Sequence, residues 1–389
     1  MRAHGTPSSG PQELLARLIA FDTTSAKSNL DLIDFVREYL ATHDVACELV
    51  PSEDGGKASL FATIGPGGAS GIGLSGHTDV VPIAGQAWTS DPFTLTERAG
   101  RLYGRGACDM KGFLACVLAA VPDLERRKLK VPIHILFSYD EEVGCTGVRP
   151  MIAEFGTRLV RPRLVIVGEP TSMRVVDAHK GPIRYKVEVT GRAAHSSMAH
   201  LGVNAIAAAS RLLAELHTIE AELQEAMQDH RFTPPYTSLQ VTTIEGGSAA
   251  NIVPNSVRFG WEMRTLPGFD VVPIEHRLRK LAETELLPRM RKVAPEADIV
   301  ITRTNRVPAF LAGKGSEATS LALRLAGENA THAVSYGTEA GLFQEAGAPS
   351  IICGPGDIAQ AHAADEFIAP DQLVDCMAFL GRLADWSGN

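Results

Sequence analysis

Acidic and imidazole side chains recur along this chain in short, loop-like stretches, each directly after an apolar run. They are His77 and Asp79 in GLSGHTDVVP, Asp109 in YGRGACDMKG, Glu141 and Glu142 in ILFSYDEEVG, Glu169 in LVIVGEP, and His362 in AQAHAADE. His77, Asp109, Glu142, Glu169 and His362 are of the types that ligate a divalent cation, and Glu141 beside one of them is of the type that moves protons. Hydrolysing an amide near neutral pH needs an activated water and stabilisation of developing charge, and two metal ions supply both. Imidazole and carboxylate without thiolate suit zinc, cobalt or manganese. Two histidines and three carboxylates exceed the needs of one four-coordinate ion and suit two ions bridged by one carboxylate. Asp109, central in the order, is the natural bridge. Asp79 stands two residues after His77, on the same side of an extended segment, where it can hold the other ring nitrogen. One histidine alone would be read as a core or surface residue; five such positions at strand ends are not. Spacing does not decide which of Glu141 and Glu142 ligates and which stays free as a base.

The elements that must position these residues are legible in the periodicity. Up to about residue 180, helical patterns (QELLARLIAF, LDLIDFVREYLATH, GFLACVLAAVPDLERR) alternate with strand patterns (ACELV, SLFATIG, GIGLSGHTDVV, VPIHILFSYDEE, RLVIVGEP). Strands alternating with helices predict an α/β fold with a mostly parallel sheet and helices on both faces. Ligands of such sheets gather beyond the carboxyl ends of the strands, where His77, Glu141, Glu142 and Glu169 all fall. From about 181 the pattern becomes IRYKVEVTG, a long helix GVNAIAAASRLLAELHTIEAEL, two alternating strands, a second helix and ADIVITRTN. The order βαββαβ is the ferredoxin-like α+β unit. After about 306 the α/β character returns and includes His362, so the second domain is inserted into the first. The expected division is a disordered leader over 1–11, a catalytic domain over 12–180 and 307–389, and an inserted lid or dimerisation domain over 181–306.

Composition restricts the functional classes. The 389 residues are 45% hydrophobic and 21% charged, those of an ordinary globular protein with ample core. A formal charge of −8 without a dense Lys/Arg cluster argues against nucleic acid, and no apolar run has membrane-spanning length. The first eleven residues lack the apolar segment of a signal peptide. Six cysteines without CxxC spacing read as reduced thiols of a cytoplasmic protein. Cys108 reads as a small residue filling a turn rather than as a nucleophile.

SGHTDVVP, GRGACDMKG, DEEVG, GEPT and AHAADE together resemble the dizinc M20 metallopeptidase and deacylase family, over nearly the whole chain. The resemblance implies two zinc (or cobalt) ions per chain. His77 and Glu169 would bind one and Glu142 and His362 the other, with Asp109 bridging, Glu141 as general base and Asp79 orienting His77. It also implies a cis peptide at Asp109–Met110. GRAAHSSMAHLGVNA resembles the family's HSS motif, which makes His195 a stabiliser of the oxyanion in a neighbouring subunit of a homodimer; by itself His195 reads equally as a capping or surface residue. Asn251 and Arg264 match positions that bind the substrate's carbonyl and carboxylate, and a strand salt bridge is the plainer reading of Arg264. Gly354, in a Gly-Pro-Gly turn, is either a loop near the substrate or a plain tight turn. The stretch SYGTEAGLFQEAGAPSIICGPGDIAQAHAADEFI resembles the acetylornithine deacetylase branch, which implies a small N-acyl amino acid substrate. Another N-acyl amino acid such as N-succinyl-diaminopimelate, or a dipeptide, is the alternative, and a non-catalytic protein that keeps the fold is a further one. Glu339 in that stretch could meet a substrate ammonium group or cap the helix that follows it.

Overall fold

The computed structural model describes residues 10–389. The leader expected over 1–11 therefore lies outside the described residues except at its end, where Pro11 opens the helix Pro11–Ile19. Proline suits that first helical position because its missing N–H would have no partner there. The chain divides into two compact units. One comprises the described residues up to Asp177 together with Leu311–His332 and Thr338–Asn389; the other comprises Ala178–Phe310 and Ala333–Gly337. The short strand His332–Val334 pairs with Val176–His179. A three-residue strand is too short to leave a periodic signal in the sequence.

The first unit is built on a large mixed sheet. Its parallel centre runs in the order Ile133–Ser138, Ile72–His77, Leu164–Val167, Ser350–Ile352. On one side Ala58–Ile64 and then Cys47–Pro51 add antiparallel. Alternation assigns the two faces. Leu60, Ile72, Leu74, Ile133, Ile135, Leu164 and Ile166 join the core formed with the helices Pro11–Ile19, Lys111–Arg126 and Pro370–Gly388. On the opposite face Phe61 packs against Phe155 at a ring-centroid distance of 6.4 Å, and Phe155 stacks on Phe343 of the helix Ala340–Glu345 at 6.3 Å. Each fully buried Leu or Phe contributes about 1.5–3 kcal/mol relative to exposure.

The parallel strands deliver their carboxyl ends together, and helix Lys111–Arg126 lies close against them. A Cβ on Gly76 would stand 2.7 Å from Leu114, and one on Gly168 only 2.1 Å from the Phe113 ring. These two glycines thus let the helix reach the ends of the strands that carry His77 and Glu169. Gly168→Ala is expected to destabilise the protein by about 1–3 kcal/mol through overpacking and to displace Glu169. Thermal unfolding and zinc content would show both effects, and wild-type values for the two would refute this role.

The second unit is a four-stranded antiparallel sheet in the order Ser238–Gly246, Ser256–Thr265, Gly181–Thr190, Asp298–Arg306. Numbered along the chain this is 2-3-1-4, the ferredoxin-like arrangement. One face packs on the helices Ala205–Glu225 and Val272–Leu281, with Val187, Val189 and Phe259 against Leu212, Leu216 and Leu278. Tyr185 and Trp261 stack at 4.0 Å with 6° between their planes. Asn204 caps the long helix by accepting from the Ala207 N–H at 3.0 Å.

Candidate metal centre

His77 ends its strand and is 1% exposed. Its Nδ1 faces the main-chain carbonyl of Asp79 at 2.9 Å and the Asp79 carboxylate at 3.5 Å, while Nε2 lies 3.1 Å from Asp109 Oδ1. Asp79 also receives the Glu141 N–H at 3.1 Å, the Glu142 N–H at 3.3 Å and the Ser25 hydroxyl at 2.7 Å. One buried carboxylate therefore aligns the imidazole and also anchors the loop after Ser138 that presents Glu141 and Glu142. Ser25 belongs to no motif; its only sequence signal is a place in a polar turn after the first helix. Glu141 accepts from the Cys145 thiol at 3.3 Å. His362 Nε2 stands 3.0 Å from Glu142 and 3.2 Å from Asp109 Oδ2. The Asp109–Met110 peptide is cis.

The ligand atoms of His77, Glu141 and Glu169 lie within 4.8 Å of one another, as do those of His77, Asp109 and Glu142. With His362 bonded to Glu142 and Asp109, the structure brings together every candidate ligand named from the sequence. It also sets Glu141 among them, beside His77 and Glu169.

The electrostatics follow from this crowding. Burial, reinforced by Glu142 and Asp109, pushes Glu141 up to about 8. Burial and the Asp109 charge push Glu142 up to about 7, and burial with Asp109 and Glu141 raises Glu169 well above the usual range. Burial disfavours charge on His77, but hydrogen bonds to Asp109 and Asp79 outweigh it and raise its pKa well above the usual value. Hydrogen bonds to Asp109 and Glu142 raise His362 to about 10. Burial works against ionised Asp109, yet bonds to His362 and His77 hold it well below the usual range. Crowded carboxylates with imidazoles between them are a donor set that fits two divalent ions.

Other sequence candidates have distinct placements. Glu339 is 1% exposed and accepts from the hydroxyls of Ser138 and Ser75, the latter at 3.1 Å. Its side chain makes no capping bond to the helix Ala340–Glu345, and burial raises its pKa to about 7. The carboxyl thus serves the interior between two central strands. Gly354 is buried, and a Cβ there would stand 2.0 Å from the Gly168 carbonyl. Its smallness lets this turn back the loop that carries Glu169. Cys108 is buried with its thiol on the Asp357 carbonyl at 3.2 Å, and burial raises its pKa; it is an inert space-filler. All six cysteines are free.

In the second unit His195 is the N-cap of the short helical turn Ser196–Leu201, its Nδ1 accepting from the Ser197 N–H at 3.2 Å. Its backbone bridges to Ile252, and the Asn251 carbonyl accepts from Ser196 at 2.9 Å, so His195 and Asn251 share one exposed surface. Arg264 donates to Glu262 at 2.8 Å, the strand salt bridge that its position allows.

Known proteins resemble this chain in sequence and others in architecture. An acetylornithine deacetylase from Myxococcus xanthus is 40% identical over 377 residues, covering 95% of each chain. Among solved structures, an M20 family metallo-carboxypeptidase from Sulfolobus solfataricus superposes with a TM-score of 0.76 at 18% identity, covering 98% of this chain and 99% of the other. A dinuclear metal-binding M20 peptidase from Bacillus subtilis gives a TM-score of 0.66 at 17% identity, covering 96% of each. Residues 73–386, a span that holds the whole cluster from His77 to His362, match the peptidase family M20/M25/M40, and to that family the chain belongs.

Proposed function

We propose that this protein hydrolyses N2-acetyl-L-ornithine to L-ornithine and acetate, a step of arginine biosynthesis, as a hydrolase with two zinc or cobalt ions per chain. The carrying observation is the convergence of Asp109 and His362, from two loops, with His77, Glu142 and Glu169 around Glu141, the last four at the carboxyl ends of parallel strands. The acetylornithine deacetylase named above, 40% identical over nearly the full length, supports the choice of substrate.

His77 and Glu169 would hold one ion, Glu142 and His362 the other, and Asp109 would lie between them. When bound, the two ions supply charge stabilisation and lower the pKa of water. The chain's own residues do the rest. Glu141, fixed through its N–H on Asp79 and by the Cys145 thiol, takes the proton from the attacking water and passes it to the departing amine. His195 stabilises the oxyanion, and Asn251 and Arg264 hold the substrate's carbonyl and carboxylate. His195→Ala is expected to lower kcat by about 100- to 1,000-fold with metal content unchanged; an unaffected kcat would remove His195 from the mechanism.

A homodimer accords with the exposed edge of Ser238–Gly246, whose backbone can pair with a copy of itself across a two-fold axis. Sedimentation giving twice the chain mass supports this reading, and a monomer at assay concentration opposes it. A cytoplasmic location accords with six free thiols. Among the described residues no helix is long and apolar enough to cross a membrane. The deciding experiment assays zinc-loaded protein against acetylornithine, succinyl-diaminopimelate, acetylmethionine and a dipeptide. Preference for acetylornithine supports the reading, and preference for another substrate replaces it within the same chemistry.

A further inference from the structure

Asp109 and His362 are 253 positions apart in sequence, yet His362 Nε2 lies 3.2 Å from Asp109 Oδ2. Neither sits within a strand or helix that would set this separation. Asp109 ends the loop after the two-stranded hairpin Thr96–Arg98 and Arg101–Tyr103, and His362 has a left-handed backbone (φ 62°) between a short helical turn and the strand Phe367–Ile368. Phe367 pairs with Tyr103 and Ile368 with Leu102, which docks the two segments in one small sheet.

Beside that sheet, Glu366 and Arg105 are each 1% exposed. Glu366 receives four hydrogen bonds from the loop that ends at Asp109. Its Oε2 accepts from Arg105 Nη1 at 2.6 Å and the Gly106 N–H at 3.0 Å; its Oε1 accepts from the Cys108 N–H at 2.9 Å and the Asp109 N–H at 3.0 Å. The other branch of Arg105, Nη2, donates to Gln86 Oε1, and Gln86 Nε2 donates to the main-chain carbonyl of His362 at 2.8 Å. Arg105 also lies over the Trp88 ring at 5.0 Å, and Trp88 donates to Gln86 at 3.0 Å. A planar guanidinium with two separate donor branches can hold both partners in fixed geometry. The resulting path runs from the Asp109 N–H through Glu366, Arg105 and Gln86 to the His362 carbonyl.

We infer that Glu366 and Arg105, with Gln86, are positioning residues that fix the separation of Asp109 and His362 and so set the affinity of the ion those two share. This rests on the ligand assignment proposed above. Burying a carboxylate and a guanidinium is costly unless they are bonded; Arg105 Nε has no hydrogen-bond partner among the described residues, and the bonds that the pair does make lead to the backbones of two candidate ligands, through Gln86 in the case of His362. A part that merely stabilised the fold would have no need to reach both.

The test titrates metal-depleted full-length protein with zinc, by calorimetry and chelator competition. The proteins are wild type, Glu366→Gln, Arg105→Lys and Gln86→Ala. Glu366→Gln keeps the shape but puts an amide donor where an acceptor is needed. Arg105→Lys reaches Glu366 or Gln86 but not both. Gln86 is only part-buried, so its removal tests the path without endangering the fold. The expected result is about 10- to 100-fold weaker binding of one of the two ions, the range for loss of an outer-shell partner. The other ion stays within about threefold, and at saturating zinc the KM for acetylornithine changes less than kcat. Excess zinc is expected to rescue much of the activity, which it would not do for a fold defect. Two wild-type affinities in Gln86→Ala and in either folded buried variant would overturn the inference. If wild type itself bound fewer than two ions, the metal assignment would fall, and this inference with it.

Discussion

Glu141→Ala is expected to lower turnover of acetylornithine by about 100- to 10,000-fold, the range for loss of a positioned general base, while the protein still binds two metal ions. The expectation follows from geometry. The Glu141 N–H is tied to Asp79 at 3.1 Å, and its carboxyl is reached by the Cys145 thiol. That carboxyl also lies with His77 and Glu169 in one cluster. Glu141 is therefore close enough to take a proton from a water between the ligands, and close enough to be a ligand itself. The variant separates these roles. Loss of turnover with full metal content makes Glu141 the base. Loss of one ion makes it a ligand, and near-wild-type turnover removes it from both roles.

The second large effect is that of removing the metals. Chelation is expected to abolish hydrolysis and zinc to restore it, and the associated stabilisation should depend strongly on pH. In metal-free protein Glu141 and Glu142 titrate at about 8 and about 7, both raised first by burial. Above an unfolded value near 4.5, the folded state therefore binds more protons than the unfolded one, and stability falls as pH rises through 7 and 8. His362, raised to about 10 by Asp109 and Glu142, acts in the same direction. Its contribution is fully present below about 6.5 and lost as pH approaches 10. Asp109, held low, has the opposite sign, but its contribution is lost only in strong acid. The metal-free protein should thus become less stable between about pH 5 and 8. The increase in Tm on adding zinc should grow over that interval. Loading at pH 7 should release protons, which calorimetry in buffers of different ionisation enthalpy would count. A zinc-induced Tm increase independent of pH, with no proton release, would contradict this account.

The reaction chemistry was legible in the chain because His77, Glu141, Glu142 and Glu169 sit at ends of apolar runs, and a parallel sheet brings such ends together whatever its strand order. His77, Glu141, Glu142 and Glu169 follow three adjacent strands of that kind. The inserted unit was equally legible, since alternation is unbroken along Ser256–Thr265 and, after the first two residues, along Gly181–Thr190. Less could be read where position depends on partners far away in sequence. Glu339 read as a partner for a substrate ammonium group or as a helix cap, and only the packing of its helix on the sheet buries it between Ser75 and Ser138. Gly354 read as part of a loop near the substrate or as a plain tight turn, and only the tertiary packing shows that a side chain would collide with Gly168.

The sequence by itself determined the residue types at the site, the parallel sheet that gathers them and the insertion of a second unit. These follow from local rules of residue type, period and spacing. The tertiary structure decided which groups share a proton or a charge and how one carboxylate, Asp79, serves both an imidazole and a loop. It also decided how Glu366 and Arg105 join Asp109 to His362. Those are contacts between segments up to 276 residues apart, as from Gln86 to His362. They are fixed by the way helices and short strands pack, and no local pattern encodes them.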